Sequence, residues 1–409
     1  MKRFAPSVVL LLCAAAMPAM AQLTLPDLRG SVGQALGGIG ETLAESEESL
    51  GKVTAAASLL TRTRLDRLDR LLRQNRALIE RDASGDPARK GELLILDPTP
   101  KALETAREAG FALLSSEVLG ELQLTVARVS VPRGMSLAKA QALLGSRLPG
   151  ATISADTLSF GSGTTARREA GGRDAHAMPP IATAVGVIDG GAGPATSVVE
   201  ARGFAAGAPR PGDHGSQIVS LLRFAGVQRV FLADVYGGDP AGGNALAVAR
   251  ALDWLVGKNV KVVSVSLVGP ANPVVSRAVS AAQRKGTTIV AAVGNDGPAA
   301  PPAYPASYPG VIAVTAVDGR NRALIEAGRA AHLDYAAPGA DIVATDAKGR
   351  RVKVRGTSFA TPLVASRVAL ALGGNIAARL DAEAIDLGAR GADRTYGRGL
   401  LCTICRPVK

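Results

Sequence analysis

The apolar positions change their period along the chain, and each change marks a part. The first apolar run, Val8 to Ala16, follows Lys2 and Arg3 and leads to Ala19-Met20-Ala21. The stretch Phe4 to Ala21 is only 18 residues and is interrupted by Pro6 and Pro18, which is poor for a bilayer span. Small residues stand where a signal peptidase reads, so residues 1–21 are expected to be an export signal cut before Gln22 rather than an anchor. Leu12 before Cys13 argues against a lipoprotein. Leu23 to Lys52 is rich in Gly, Ser and Glu and has weak periodicity. From Thr61 to Arg81, Leu65, Leu68 and Leu72 recur at helical spacing among seven arginines, which predicts a solvated arginine-rich helix in preference to a nucleic-acid or membrane arm.

A second texture fills residues 91–160. It has strand-like runs at Leu93 to Leu96, Ala112 to Val118, Leu122 to Val131 and Thr152 to Phe160, with helices at Pro100 to Ala109 and Ser136 to Arg147. This β-α-β-β-α-β order predicts a small ferredoxin-like α+β module with two helices on one face of an antiparallel sheet. Residues 161–180 carry Gly, Ser, Arg and Pro without an apolar period and read as an exposed, cleavable linker. From Ile181 the pattern becomes short Val/Ile/Ala strands alternating with Ala-rich helices. Strands are expected at Ala184 to Ile188, Val230 to Val235, Val260 to Leu267, Thr288 to Val293 and Val311 to Val317. Helices are expected at Gly215 to Arg223, Ala245 to Gly257, Val274 to Lys285 and Ser358 to Leu372. Uninterrupted apolar strands of this kind suit a doubly wound parallel sheet with helices on both faces.

Composition narrows the function. Of 409 residues, 47% are hydrophobic and 3% aromatic, so a sizeable core is available but stacking platforms for single-stranded nucleic acid are not. The formal charge of +12 divides into +2 for the signal, +1 for residues 23–178 and +9 for residues 179–409. The surplus therefore belongs to the C-terminal part and suits acidic protein or anionic envelope surfaces. Three cysteines exclude a dense disulfide scaffold, and Cys402 and Cys405 could form a local disulfide or, less simply, a redox pair. Without a nearby His they cannot complete a four-ligand zinc site. Of three histidines, His176 lies in the linker and His332 has no motif partner, which leaves His214.

Three polar residues stand where a doubly wound sheet exposes its reactive groups. Asp189 ends a strand, His214 precedes a helix, and Ser358 opens one after Gly356-Thr357, with Pro362 placed in the first turn. A carboxylate, an imidazole and a hydroxyl are the parts of acyl transfer: the first fixes the tautomer, the second takes the proton, and the third forms the acyl intermediate. Amides at a helix N-terminus favour the anion that develops.

In order and in local sequence these residues resemble the subtilisin-like serine proteases (S8 family, subtilases). The motifs are Val187-Ile188-Asp189-Gly190-Gly191, His214-Gly215-Ser216, Ala292-Val293-Gly294-Asn295-Asp296-Gly297 and Gly356-Thr357-Ser358-Phe359-Ala360-Thr361-Pro362. Tyr304 to Pro309, Asp334 to Gly339 and Tyr396 to Leu400 extend the likeness over about residues 181–401. The resemblance implies a catalytic Asp189, His214 and Ser358, with Asn295 and the Ser358 amide as oxyanion donors. It also implies a substrate cleft at Ser266, Leu267, Val268 and Gly269, facing Ala292, Gly294 and Ala303.

Departures are Gly190, Gln217, Leu363 and Ser366, none of which removes a triad atom. Val268 and Ala303 stand where glycine is common, which implies a narrowed pocket for small or medium apolar side chains. Leu222 to Asp234 offers no cluster of oxygen ligands, so no cofactor is expected and calcium is not supported. Residues 91–160 are similar in element order to the family's inhibitory pro-domains, which implies a partner in cis that assists folding and blocks the site, although a permanent accessory domain is the other reading. The expected division is therefore residues 1–21 signal, 22–90 helical or low-order, 91–160 pro-domain-like module, 161–180 linker and 181–409 catalytic domain. The expected protein is an exported, periplasmic or secreted monomeric serine endopeptidase acting on proteins or peptides. Nucleic acid and stable membrane insertion are not expected. A non-catalytic binding or chaperone module that keeps the fold is the alternative.

Overall fold

Strands built from consecutive Val, Ile and Ala need both faces covered, and their side chains sort accordingly. The computed structural model describes residue 55 and residues 58–161, 163–168 and 178–406, with backbone alone for 164–168. Residues 1–21, expected to be an export signal, the stretch Leu23 to Lys52 and His176 lie outside the described residues.

An N-terminal helix, α1, covers residues 58–74. The strand β1 (Ile79–Arg81) then forms a hairpin with β2 (Pro87–Leu96). After β2 come α2 (Pro100–Glu108), β3 (Leu113–Leu119), β4 (Leu124–Ser130), α3 (Leu137–Arg147) and β5 (Thr152–Thr157). Antiparallel pairing places the four long strands in the order β3-β4-β2-β5. Thr99 and Ser136 cap α2 and α3 through their hydroxyls, accepting from the amides of Ala102 and Lys139. The sheet starts before residue 91, because β1 and the beginning of β2 belong to it; the arginine-rich helix ends at 74, and Ile79–Arg81 is strand.

The linker is not loose throughout. Phe160–Gly161 is a strand, β6, and Thr164–Arg168 is another, β7. The C-terminal part continues with β8 (Val185–Asp189), β9 (Glu200–Gly203), α4 (Asp213–Phe224), β10 (Val230–Asp234), α5 (Ala245–Gly257), β11 (Val262–Val265), β12 (Leu267–Val268) and α6 (Pro273–Arg284). It ends with β13 (Thr288–Ala292), β14 (Ile312–Val317), β15 (Tyr335–Pro338), β16 (Ile342–Thr345), β17 (Arg351–Arg355), α7 (Thr357–Ala371) and α8 (Ile376–Glu383). Seven strands form a parallel sheet in the order β15-β14-β13-β11-β8-β10-β9. Successive residues go to opposite faces. Val262, Val290 and Val314 pack with α4 and α7, while Val263, Ile289 and Ala313 pack with α5 and α6. Cys402 and Cys405 are joined by a disulfide.

The N-terminal module packs on the outer side of α5 and α6. In β2, Leu93 and Ile95 cluster with the module's own helices, whereas Leu94 and Leu96 join the core that contains α5 and α6. The stretch Leu93 to Leu96 of β2 is thus buried on both faces, while β3 at the edge stays largely exposed. Polar groups register the contact. Asn272, which caps α6, donates to Ser154 Oγ, Ala155 O and Thr157 Oγ1 at 2.9–3.0 Å. Arg250 pairs with Glu117 at 2.6 Å and Arg89 with Asp239 at 2.6 Å. Asp156 accepts from the Leu246 amide at the head of α5, 3.0 Å away.

Burial pushes the Asp156 carboxyl up to about 7, although the Leu246 amide and the charges of Arg89 and Arg128 oppose the shift. A free Asp loses its proton near pH 4, so the docked form holds a proton that the unfolded chain has released. This part of the stability is complete below pH 4 and is lost as pH rises to about 7. Denaturant midpoints of the full chain against pH will accordingly fall less steeply between pH 4 and 7 in Asp156→Asn than in the parent; identical slopes would exclude the effect.

Candidate active site

Asp189 is the last residue of β8 and is 1% exposed. Its Oδ1 accepts from the Gly190 amide at 2.7 Å and from His214 Nδ1 at 2.8 Å. His214 does not precede a helix as expected; it is the second residue of α4, whose N-cap is Gly212. The next residue explains how the ring reaches Asp189. A Cβ on Gly215 would lie 2.1 Å from Gly190 O, so only glycine lets the first turn of α4 rest on the loop that leaves β8. The Asp189 charge and hydrogen bond outweigh the burial that lowers the imidazole's proton affinity, and His214 is raised above its ordinary value.

Ser358 is the second residue of α7, behind Gly356 with φ +142°, a conformation that L side chains rarely adopt. Pro362 is the sixth helical residue, not part of the first turn, and it lacks the amide that would bond the Ser358 carbonyl. Ser266 supplies that bond. Its hydroxyl donates to Ser358 O at 2.9 Å, and the Ser358 hydroxyl donates to Ser266 O at 3.0 Å. Phe359 links the two halves, with its ring centroid 5.5 Å from that of His214.

Asn295 follows β13. Its Oδ1 accepts from the Thr357 amide at 3.0 Å, which fixes the amide group and leaves Nδ2 buried without a hydrogen-bond partner. His214 Nε2 is likewise buried and unpaired. An unsatisfied buried donor beside a helix N-terminus and an unpaired imidazole nitrogen are suited to a developing oxyanion and a mobile proton.

The chain itself enters this cleft. Phe160 and Gly161 pair antiparallel with Val268 and Leu267. Gly161 and Gly163 both lie against the His214 ring. The segment is held upstream by the Ser159 amide on Gly243 O at 2.8 Å and by the Tyr236 hydroxyl on Ser159 O at 3.0 Å. Beside it is a cavity of about 320 Å³ lined by Phe160, Val268, Gly294, Ala303 and Tyr304. Val268 faces Gly294, its methyls 3.5 Å from where a Cβ would stand. Gly269 bridges to Tyr304, whereas Ala292 is buried at the end of β13 and does not line the cavity.

The arginine-rich helix is also more than a solvated face. Arg67 and Arg64 of α1 pair with Asp296 at 2.9 and 3.3 Å, so α1 roofs one side of the cavity. Only the non-local partner reveals this, and it is remote in sequence. His332 stays outside the site, with Nε2 on Val311 O at 2.8 Å. Among the described residues no group of three or more His, Cys, Asp and Glu is placed to hold a metal ion, and no helix is long and apolar enough to cross a membrane.

Comparison with known proteins fits this geometry. Residues 204–385 match the family model described as the Subtilase family. A subtilisin of Bacillus pumilus is 34% identical over 169 residues, 38% of this chain and 59% of that protein. The minor extracellular protease Epr of Bacillus subtilis is 30% identical over 39% of this chain and 26% of its own length. The chain thus spans less than two thirds of these relatives. The solved structure of fervidolysin from Fervidobacterium pennivorans, described as a keratinolytic enzyme related to subtilisin, superposes with a TM-score of 0.62. It covers 78% of this chain and 61% of that one at 16% identity, a likeness of fold.

Because Asp189 holds the raised proton affinity of His214, an NMR titration of the full chain carrying Ser358→Ala will place the imidazole above the ordinary value of about 6.5. Asp189→Asn in that background will move it down. An unchanged titration would remove Asp189 from this role.

Proposed function

From the match of residues 204–385 to the Subtilase family model, we propose that this chain is an exported serine endopeptidase that cuts its own linker before it acts on other proteins or peptides. The observation that carries this reading is the strand Phe160–Gly161, which occupies the cleft as a substrate would and leads onto the His214 ring. The paired residue Leu267 follows Ser266, whose carbonyl accepts from the Ser358 hydroxyl, and Gly163 lies against the same imidazole as Gly161. A bond between Gly161 and Gly163 is the one that this reading presents to Ser358.

In the proposed reaction the Ser358 hydroxyl leaves Ser266 O and passes its proton to His214 Nε2 as Oγ bonds the carbonyl carbon. Asn295 Nδ2 and the Ser358 amide receive the oxyanion. The C–N bond then breaks, His214 returns the proton to the departing amine, and water, deprotonated by the same nitrogen, releases the acyl group. Asp189 keeps Nδ1 protonated and oriented. A raised His214 affinity means that the base is disabled below a pH somewhat above the ordinary imidazole range, so activity falls on the acid side. The module of residues 79–157 is the inhibitor in cis, and the enzyme works as a monomer without calcium or another cofactor. Its export to the periplasm or beyond rests on residues 1–21.

Ser358→Ala will yield only the full exported chain of about 40 kDa, whereas the parent will give a fragment starting close to Gly163 and will be labelled by a fluorophosphonate. The same fragment in the mutant would overturn self-cleavage; a folded, processed but unlabelled parent would favour the binding or chaperone reading. Asn295→Ala will lower kcat by about 10² to 10³.

Val268 and Ala303 narrow the cavity, so a peptide library will show small or medium apolar residues just before the cleaved bond, with activity unaffected by a chelator. Efficient cleavage after Phe or Arg would refute the first expectation, and specific rescue of chelated enzyme by calcium the second.

A further inference from the structure

The stripe that α1 turns inward runs from the module to the wall of the cleft. Leu60, Arg64, Leu68 and Leu71 recur every three or four residues and so share one face of the helix. Toward its C-terminal end that face is apolar. Leu68 is buried, and Leu71 and Leu72 pack on the cluster of Ile79, Leu158 and Ala241 that also seats Phe160. The helix is fastened there to the module, since the Asn75 amide donates to Leu71 O at 3.0 Å and Arg81 pairs with Asp69 at 2.6 Å. Its N-terminal end reaches the loop that follows β13, where a Cβ on Gly297 would lie 2.9 Å from Leu60 Cδ1. Between the two ends Arg67 pairs with Asp296 at 2.9 Å, and Arg64 pairs with the same carboxylate at 3.3 Å. Asp296 is the residue after Asn295. The cavity of about 260 Å³ beneath the helix has Leu60, Thr63 and Arg67 on one side and Asn295, Val268 and Gly161 on the other.

We propose that α1 is a second inhibitory element, a latch in which Arg64 and Arg67 hold the Asp296 carboxylate so that the cleft stays covered after the linker has been cut. This rests on the endopeptidase reading. The strand Phe160–Gly161 is held by β12 on one side and by the apolar cluster under α1 on the other. The latch adds a third hold, one residue from Asn295, and it works by a different force. Apolar burial seats the module on α5 and α6, and salt does not screen it, whereas the latch depends on Arg64 and Arg67, which are 25% and 51% exposed. The first turns of α1 lie beyond the apolar cluster, and a helix end that loses its packing frays.

The full chain tests the latch in two ways. In Ser358→Ala, changing both Arg64→Gln and Arg67→Gln will speed hydrogen exchange in residues 58–67 about 3- to 30-fold while β2 keeps its protection, because one such partly exposed pair is worth at most about fivefold. In the active chain the same two changes will shorten, by a similar factor, the interval between cleavage of the linker and the onset of activity on a quenched peptide. Each time course is scaled to its own final rate. Asp296→Asn will shorten the interval as well, and adding it to the two arginine changes will bring no further gain. Arg62→Gln with Arg73→Gln, on the exposed side of α1, will leave both readouts at the parent value. Added salt will speed the parent more than the Arg64/Arg67 variant. Unchanged exchange, an unchanged interval, an equal effect of the Arg62/Arg73 pair or equal salt responses overturns the latch. A parent chain that is labelled by fluorophosphonate and active as soon as it is cut overturns the latch alone; a parent chain neither labelled nor processed overturns the endopeptidase reading as well.

Discussion

Everything at the site depends on one close approach of backbone to backbone. The first turn of α4 lies on the loop after β8, with Gly215 against Gly190 O at a distance that no Cβ fits. That approach alone brings an imidazole on a helix to a carboxylate on a strand end. The parallel sheet then determines the rest. β11 lies next to β8 in the sheet and β13 next to β11, so the chain that leaves β11 supplies Ser266 and the chain that leaves β13 supplies Asn295. Loops at the same end of neighbouring parallel strands are where such a fold collects reactive groups. The cost of aligning them is carried by the apolar layers on either face, not by the polar residues themselves.

Ser266 and Ser358 show how a local defect can be put to use. Pro362 deprives α7 of one hydrogen bond, and the orphaned carbonyl belongs to the reactive serine's own residue. The hydroxyl of Ser266 fills the gap, so the start of β12 is tied to the helix head beside the point where Phe160–Gly161 pairs. The same tie gives the Ser358 hydroxyl a resting acceptor, Ser266 O, while His214 Nε2 stays unpaired. Asn295 is held by comparable logic, since it uses its oxygen on the Thr357 amide while its nitrogen stays unpaired.

Much of this was legible because it is local. Val185 to Asp189, the helix opened near Ser358 and the β-α-β-β-α-β order from residue 93 onward are each encoded in a period or a short motif. What escaped was encoded in pairs far apart. The hairpin of β16 and β17 reads as charged because Arg351, Lys353 and Arg355 alternate with buried Val352 and Val354. Arg64 and Arg67 look like solvated charge until Asp296 is placed beside them. Glycine and serine after Phe160 suggested a loose linker, since composition cannot show that a strand will find β12 as its partner.

The segment in the cleft divides recognition between its two ends. Upstream, Leu158 is fully buried with Ile79 and Ala241, and Phe160 packs against the same cluster. Burying such a side chain contributes on the order of 1.5–3 kcal/mol. Downstream, Gly161 and Gly163 lie beside the imidazole. A free peptide would have to gain its whole affinity from the upstream half and would lose translational freedom on binding. The tethered segment has already lost that freedom, because β5 and the module behind it are fixed on α5 and α6, and its effective concentration is on the millimolar scale or above. Occupation of the cleft by the chain's own strand is therefore the default state of the intact protein. A cut downstream of the strand Phe160–Gly161 would change the tether and not the upstream contacts, so vacating the cleft requires the module to leave its apolar seat on α5 and α6.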